Sequence, residues 1–281
     1  MTRTTLLAAA LLTAPTLGLA GPAKMQGFAL LDDGATLAVM ADLARPDAAE
    51  TRPLATAVDA IAYRPVTGDL VALSNANGAM YLIDPETGAM TDLDATFVDG
   101  AGIAAGLVTD LDFNNKIDAV RAVSGAGVNL VYFPEEFGDE KAGSVRRFTD
   151  LAYAEGDASE GTAPQIFANA YTNAIPGAKA SSTAQYALDA ATDALVTLAN
   201  NAGTLETVGP ITVDGAAVDL LPMGGFDIVS AAEGEDAAYA ILQMAGQETA
   251  SLYRIDLTNG AATPMGNTGR GAFSGFAAKA E

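Results

Sequence analysis

Short apolar runs that alternate with polar positions and stop at turn residues recur along most of the chain. No stretch carries the period of an amphipathic helix of useful length. The clearest unit opens with "AIAYRP", which stops at "VTGD". "LVALS" then stops at "NANG", "AMYLID" stops at "PETG", and "AMTDLD" closes the unit. Each run has the length and alternation of a β-strand and each interruption has turn chemistry, so the unit predicts four antiparallel strands. Its "YLIDPETGAMT" at 81–91 returns as "YRIDLTNGAAT" at 253–263. Both copies predict a hairpin between third and fourth strands, in which Asp84 or Asp256 accepts a backbone hydrogen bond and Gly88 or Gly260 supplies a positive φ.

An apolar triplet centred on alanine marks the second strand of every unit. It occurs at Ala29, Ala72, Ala122, Ala187 and Ala240, with successive spacings of 43, 50, 65 and 53 residues. That spacing suits one four-stranded sheet per repeat and predicts an all-β, five-bladed β-propeller with four-stranded antiparallel blades. The predicted blades cover about 25–54 plus 272–279, 56–95, 107–153, 165–210 and 222–268. The register of the fourth is ambiguous, because "YALDAATDALVT" also matches the third-strand motif. The first unit has only three runs, while the chain ends in the apolar "AFSGFAAKA". The C-terminal segment is therefore expected to supply the innermost strand of the N-terminal blade and close the ring, which removes open sheet edges.

The opening "MTRTTLLAAALLTAPTLGLA" has a basic start at Arg3, an apolar run broken by Pro15, and small residues at Gly18 and Ala20. It reads as a Sec-type secretory signal over residues 1–20, too short for a bilayer span of about 20 apolar residues. The expected destination is the periplasm or the exterior, and 21–281 form a single propeller domain. Removal of Arg3 leaves 13 basic and 35 acidic residues, a net charge of −22. That field opposes phosphate backbones and anionic lipid surfaces, so nucleic acid and membrane surfaces are poor partners. No later segment is long and apolar enough to span a bilayer, so a soluble monomer with no membrane insertion is expected. With no cysteine in the chain, stability must come from packing.

The ordered series "GFALLDDGATLAVM", "AIAYRPVTGDLVALS", "YLIDPETG", "DLDFNNKIDAVRAVSGAGVNL", "LAYAEGD", "ANAYTNA", "NAGTLETVGPI", "GGFDI" and "LYRIDLTNGAAT" resembles a secreted bacterial family catalogued as domain of unknown function 4394. The likeness spans nearly the whole chain after the leader and implies a propeller-like domain with no assigned activity. In the third unit the family's pattern resembles D-F-N-P-x-x-D-R-x-R-V-V-S-D-x-G-Q-N-L-R. Asp112, Phe113, Asn114, Asp118, Arg121, Ser124, Gly127, Asn129 and Leu130 match it. Asn115 stands in place of the proline, Ala119 and Val131 in place of arginines, Gly125 in place of the aspartate and Val128 in place of the glutamine.

The chain has no His, Cys or Trp. Histidine-dependent triads, cysteine nucleophiles, and zinc or iron sites built on imidazole or thiolate are thereby ruled out. Aligning the first strand of each unit places Asp112 and Asp227 at matching positions, against Ala62, Ala170 and Ala277. Two carboxylates near the axis suffice for glycoside hydrolysis, although the chain offers no Trp platform for a sugar. The competing reading is that these side chains satisfy backbone amides between blades. Asp112, Asp227, Asn114, Asn129 and Arg121 form the candidate ligand site at the axial mouth. Asp110, Asp112, Asn114 and Asp118 occupy the first, third, fifth and ninth places of an EF-hand-like loop and form a candidate calcium set. Asn115, however, replaces the turn glycine and Arg121 the bidentate glutamate. The adjacent Arg146 and Arg147 are expected to pair with Glu135, Glu136 or Asp139. The functional expectation is a binding or scaffolding module for a small molecule or a protein, the latter through "PEEFGDEKAG" or "DASEGTAP". A carboxylate glycosidase and a structural envelope or matrix protein are the alternatives.

Overall fold

The computed structural model describes residues 24–280; the predicted signal segment lies outside them. Five sheets form the chain. In the first blade the order from the axis outward is Phe276–Ala280, Met25–Leu31, Thr36–Met40 and Glu50–Pro53, and in the second Ala60–Tyr63, Leu70–Ser74, Ala79–Ile83 and Met90–Asp92. The inner strands of the third, fourth and fifth blades are Thr109–Asn114, Ile166–Tyr171 and Leu220–Ser230. Each inner strand packs beside the next, so Phe276–Ala280 lies between the inner strands of the fifth and second blades.

The C-terminal strand pairs antiparallel with Met25–Leu31, Phe276 opposite Ala29 and Ala280 opposite Met25. It begins at Phe276, four residues later than the sequence implied. The preceding segment is a loop, whose Phe273 carbonyl accepts from the Gly224 amide and whose Ser274 amide donates to Leu30. The fourth blade uses "QYALD" and "ALVTL" as second and third strands, which settles the ambiguous register.

The expectation of four strands per blade holds for the first two blades and fails for the others. Thr96–Phe97 and Ala152–Tyr153 pair in parallel with the outermost main strand of the third and fourth blades. Thr212–Val213 does the same in the fifth and carries a further short strand, Ala216–Ala217. These pieces come from the connections arriving from the preceding blade. They cover an edge that would otherwise present unpaired backbone groups, and at two residues each they are too short for alternation to reveal.

The repeated hairpins behave as read. Asp84 accepts from the Glu86 amide at 2.8 Å and Asp256 from the Thr258 amide at 2.9 Å, while Gly88 and Gly260 take φ of 77° and 81°. A second constraint adds to the dihedral. A Cβ on Gly88 would lie 2.7 Å from the Pro53 carbonyl oxygen, and one on Gly260 2.6 Å from that of Pro210. Each hairpin rests against the outer strand of the preceding blade, so the duplicated segment is a spacer between blades.

Faces of neighbouring blades interlock through apolar side chains. Phe167, Leu188 and Leu195 of the fourth blade bury against Phe226, Ile228 and Tyr253 of the fifth, and Ala62, Val71 and Leu73 of the second against Leu111, Phe113 and Val120 of the third. Such burial contributes roughly 25 cal/mol per Å2 of apolar area. A protein ending at Gly271 leaves Met25–Leu31 without its inner partner and removes Phe276, which is 1% exposed in the full chain. Thermal unfolding should show a melting temperature lower by more than about 10 °C, or no cooperative transition. An unchanged midpoint would mean that the terminal strand is dispensable.

Candidate functional site

The inner strand of a blade has a hydrogen-bonding neighbour on one side only, and its other edge faces the axis. Aspartates from adjoining inner strands cap that edge. Asp110 accepts from the Asn169 amide at 2.7 Å and Asp112 from that of Tyr171, both across the gap between third and fourth blades. Asp227 of the fifth blade accepts from Ala278 of the closing strand at 2.6 Å and from its neighbour Ile228 at 2.7 Å. Asp112 and Asp227 are each 5% exposed and Asp110 1%. The candidate catalytic pair is thus built into the wall of the propeller, which corrects the sequence expectation that it lines the axial mouth.

Burial raises the pKa of all three carboxyls. Asp110 and Asp112 lie well above the ordinary 3.8, mainly through desolvation, and the charge of Asp227 raises both further. Asp227 is pushed up to about 7, again by burial, with its two amide hydrogen bonds opposing. One oxygen of Asp110 and the side-chain nitrogen of Asn169 have no hydrogen-bond partner among the described residues.

Arg121, Asn129 and Asn114 belong to the same inter-blade seam. Arg121 stands opposite Asp112 in the strand pair and donates to the Tyr171 hydroxyl at 2.8 Å, to Asn201 at 2.8 Å and to Asn129. Asn129, fully buried, donates to the Thr149 and Asn200 carbonyls, both at 3.0 Å. Asn114 accepts from Lys116 and from Thr183. Tyr171 is therefore held at its amide by Asp112 and at its hydroxyl by Arg121, and these residues leave no opening for a ligand.

The calcium set does not assemble. Asp118 turns to the second blade, where its two oxygens take the Arg64 guanidinium at 2.8 and 2.7 Å. Asp110 and Asp112 face the fourth blade's amides. Among the described residues no group of three or more acidic side chains is arranged to hold a metal ion. The arginine pair also differs from expectation: Arg146 donates to Ser144 and the Glu140 carbonyl, and Arg147 pairs with Asp150.

The departures from the family pattern have local partners. Asn115 donates to the Asn173 and Ala178 carbonyls at 2.8 and 3.0 Å, bonds that a proline cannot make. They hold the segment 173–182, whose Gly177 amide also reaches the Pro65 carbonyl at 2.8 Å. This segment crosses the end of the ring where the third inner strand finishes. With Tyr63, Pro65, Pro176 and Lys279 it leaves only about 10 Å3 there. Ala119 and Val131 pack with Phe133, Phe137 and Phe148, so two positions that the pattern gives to arginine here form one apolar cluster.

At the opposite mouth, where inner strands begin, a cavity of about 450 Å3 opens. Its walls come from all five blades and include Asp59, Thr109, Phe167, Met223, Phe273 and Ser274. Asp59 accepts from the Asn75 amide at 2.7 Å, and its pKa is raised mainly by burial. Asn75 donates to the Thr109 hydroxyl at 2.8 Å, tying the second blade's rim to the third's. Sequence alignment of the units centred on strand midpoints and so missed these residues. The signal available was their shared place just ahead of, or at, the first residues of each inner strand.

The native state keeps a proton on Asp227 to a higher pH than the unfolded chain does. Stability is therefore lost as pH rises from 3.8 towards about 7. Urea unfolding should show higher stability at pH 5 than at pH 8, and a shallower dependence in Asp227→Asn, which retains an acceptor for Ala278. An equal dependence in both proteins would contradict the burial argument. Because the candidate calcium ligands are committed elsewhere, the melting temperature should be the same in calcium and in chelator at fixed ionic strength. A calcium-specific rise that Asp112→Asn abolishes would overturn that assignment.

Among solved structures, the chain is similar to a putative 6-phosphogluconolactonase from Bacteroides uniformis (15% identity, 90% of this chain and 84% of that one, TM-score 0.43). It is also similar to the glutaminyl cyclase of Myxococcus xanthus (11%, 78% and 69%, 0.41) and to an auxiliary nutrient binding protein from Bacteroides ovatus (13%, 75% and 52%, 0.44). At these identities and scores, what those proteins bind or transform stays with them. No curated protein matches the chain. A family model does match, over residues 39–277, which takes in the second to fifth blades whole and the outer part of the first. The chain belongs to the family described as Domain of unknown function (DUF4394).

Proposed function

We propose that the protein is an exported, non-catalytic binding module that holds a small molecule in its axial mouth. The observation that carries this reading is the cavity of about 450 Å3 with walls from all five blades, within the range of roughly 300 to 1,000 Å3 for small-molecule sites. The segment 173–182 crosses the far end of the axis, held by Asn115 and Pro65. Export rests on the N-terminal pattern of Arg3, the apolar run and Gly18 and Ala20.

Glycoside hydrolysis is the weaker reading. It needs two carboxyls flanking the scissile bond, and Asp112 and Asp227 are both occupied by backbone amides inside the wall. The acids that line the cavity are Asp33 and Asp59, and Asp33 is exposed to solvent.

A thermal-shift screen of small amines, alcohols, sugars and carboxylates tests the proposal, since a ligand of the native state raises the melting temperature by mass action. Stabilising compounds should lose their effect in Ala57→Trp, which fills the mouth from an exposed lining position. Compounds that stabilise the variant equally would place binding elsewhere. Turnover on a glycan panel, abolished by Asp59→Asn, would replace the binding module with an enzyme.

A further inference from the structure

The chemistry of the mouth narrows its ligand, a choice that rests on the binding role proposed for this cavity. The walls are mostly apolar, with Leu107, Val108, Phe167, Met223 and Phe273 among them. The ionisable groups in the lining are both acids, Asp33 and Asp59, and no lysine or arginine lines it. Asp59 is half-buried and uses one oxygen for the Asn75 amide. Its other oxygen has no hydrogen-bond partner among the described residues. Ser274, also in the lining, has a hydroxyl without a partner among the described residues.

The carboxyls behind the walls are buried and their pKa values are raised by desolvation, so the negative charge that meets a ligand is that of the lining acids. Thr109 lines the cavity, and the next residue along that inner strand is Asp110, followed by Asp112; Asp227 lies on the inner strand of the fifth blade. The nearest guanidiniums along the seam are committed, Arg64 to Asp118 and Arg121 to Tyr171, Asn129 and Asn201. With Asp33 and Asp59 as the ionisable groups of its lining, the cleft focuses a negative potential on whatever enters. An anionic ligand would meet like charge with nothing to neutralise it. A polar neutral ligand would waste the apolar wall.

We infer that the axial cavity takes a small apolar cation, an amine with a hydrocarbon body, whose ammonium sits on the free oxygen of Asp59 while Phe167, Met223 and Phe273 cover its carbon skeleton. A protonated amine supplies a donor to the Asp59 oxygen that the Asn75 amide leaves free. An aromatic or branched body matches the wall, where burying hydrocarbon removes apolar area from water.

The test uses three probes of one shape and different charge: 4-phenylbutylammonium, 4-phenylbutan-1-ol and 4-phenylbutanoate, titrated calorimetrically at pH 7.5 into the protein lacking residues 1–20. The cation should bind about two to five times more tightly than the alcohol, the range expected of a partly exposed charge pair, and the carboxylate should not bind. Asp59→Asn should bring cation and alcohol to equal affinity, and Asp33→Asn, at an exposed position, should weaken the cation less. Melting curves of both variants confirm that they fold. If cation and alcohol bind equally well to the unaltered protein, the cavity is a binding site but the charge selection is wrong. Preferential binding of the carboxylate would overturn the inference outright. If none of the three binds, both this inference and the small-molecule role of the mouth fail.

Discussion

A propeller brings five sheet edges together around one axis, and the amides on those edges have no strand to pair with. An unpaired buried amide costs about 1–3 kcal/mol. Here Asp110 and Asp112 meet the amides of Asn169 and Tyr171, and Asp227 meets that of Ala278. The last of these contacts joins the fifth blade to the strand that the C-terminus lends to the first. Burial of carboxyls is thus a consequence of closing a ring of sheets, and desolvation inside that ring raises their pKa values.

The same requirement explains why the carboxylates are poorly placed for catalysis. A catalytic pair must reach a substrate, and these acids already hold the backbone of the next blade. Arg121 completes the arrangement by gripping the Tyr171 hydroxyl that Asp112 cannot reach. The structure separates two tasks along its axis. Mid-strand acids hold blades together, the 173–182 segment crosses one end, and the opposite rim, built from the starts of inner strands, keeps an open cavity.

Much of the fold was legible because blades are local. Each of the strands in "AIAYRP" to "AMTDLD" ends at a turn whose chemistry is written in adjacent residues, and Gly88 and Gly260 mark equivalent hairpins. The loan of the C-terminal strand was legible from a shortage at one end and a surplus at the other. The edge strands at Thr96–Phe97 and Ala152–Tyr153 were not, since their pairing depends on the path between blades. The site was harder still. Asp110, Asp112, Asn114 and Asp118 share a spacing along the chain, but Asp118 sits in the left-handed region, φ 61°, and turns to Arg64. Spacing could not show which neighbour each side chain would find. The rim residues Asp59, Thr109 and Ser274 are distant in sequence and share only their position at the head of an inner strand.

Amide hydrogen exchange at Tyr171 and Ala278 addresses the central claim most directly, because both amides belong to edges that face the axis. Exchange of both should be slow, opening only with global unfolding, and Asp227→Ala should speed exchange at Ala278 while leaving Tyr171 slow. Rapid exchange at these amides in the unaltered protein, or no local change in the variant, would mean that the carboxylates do not hold the ring.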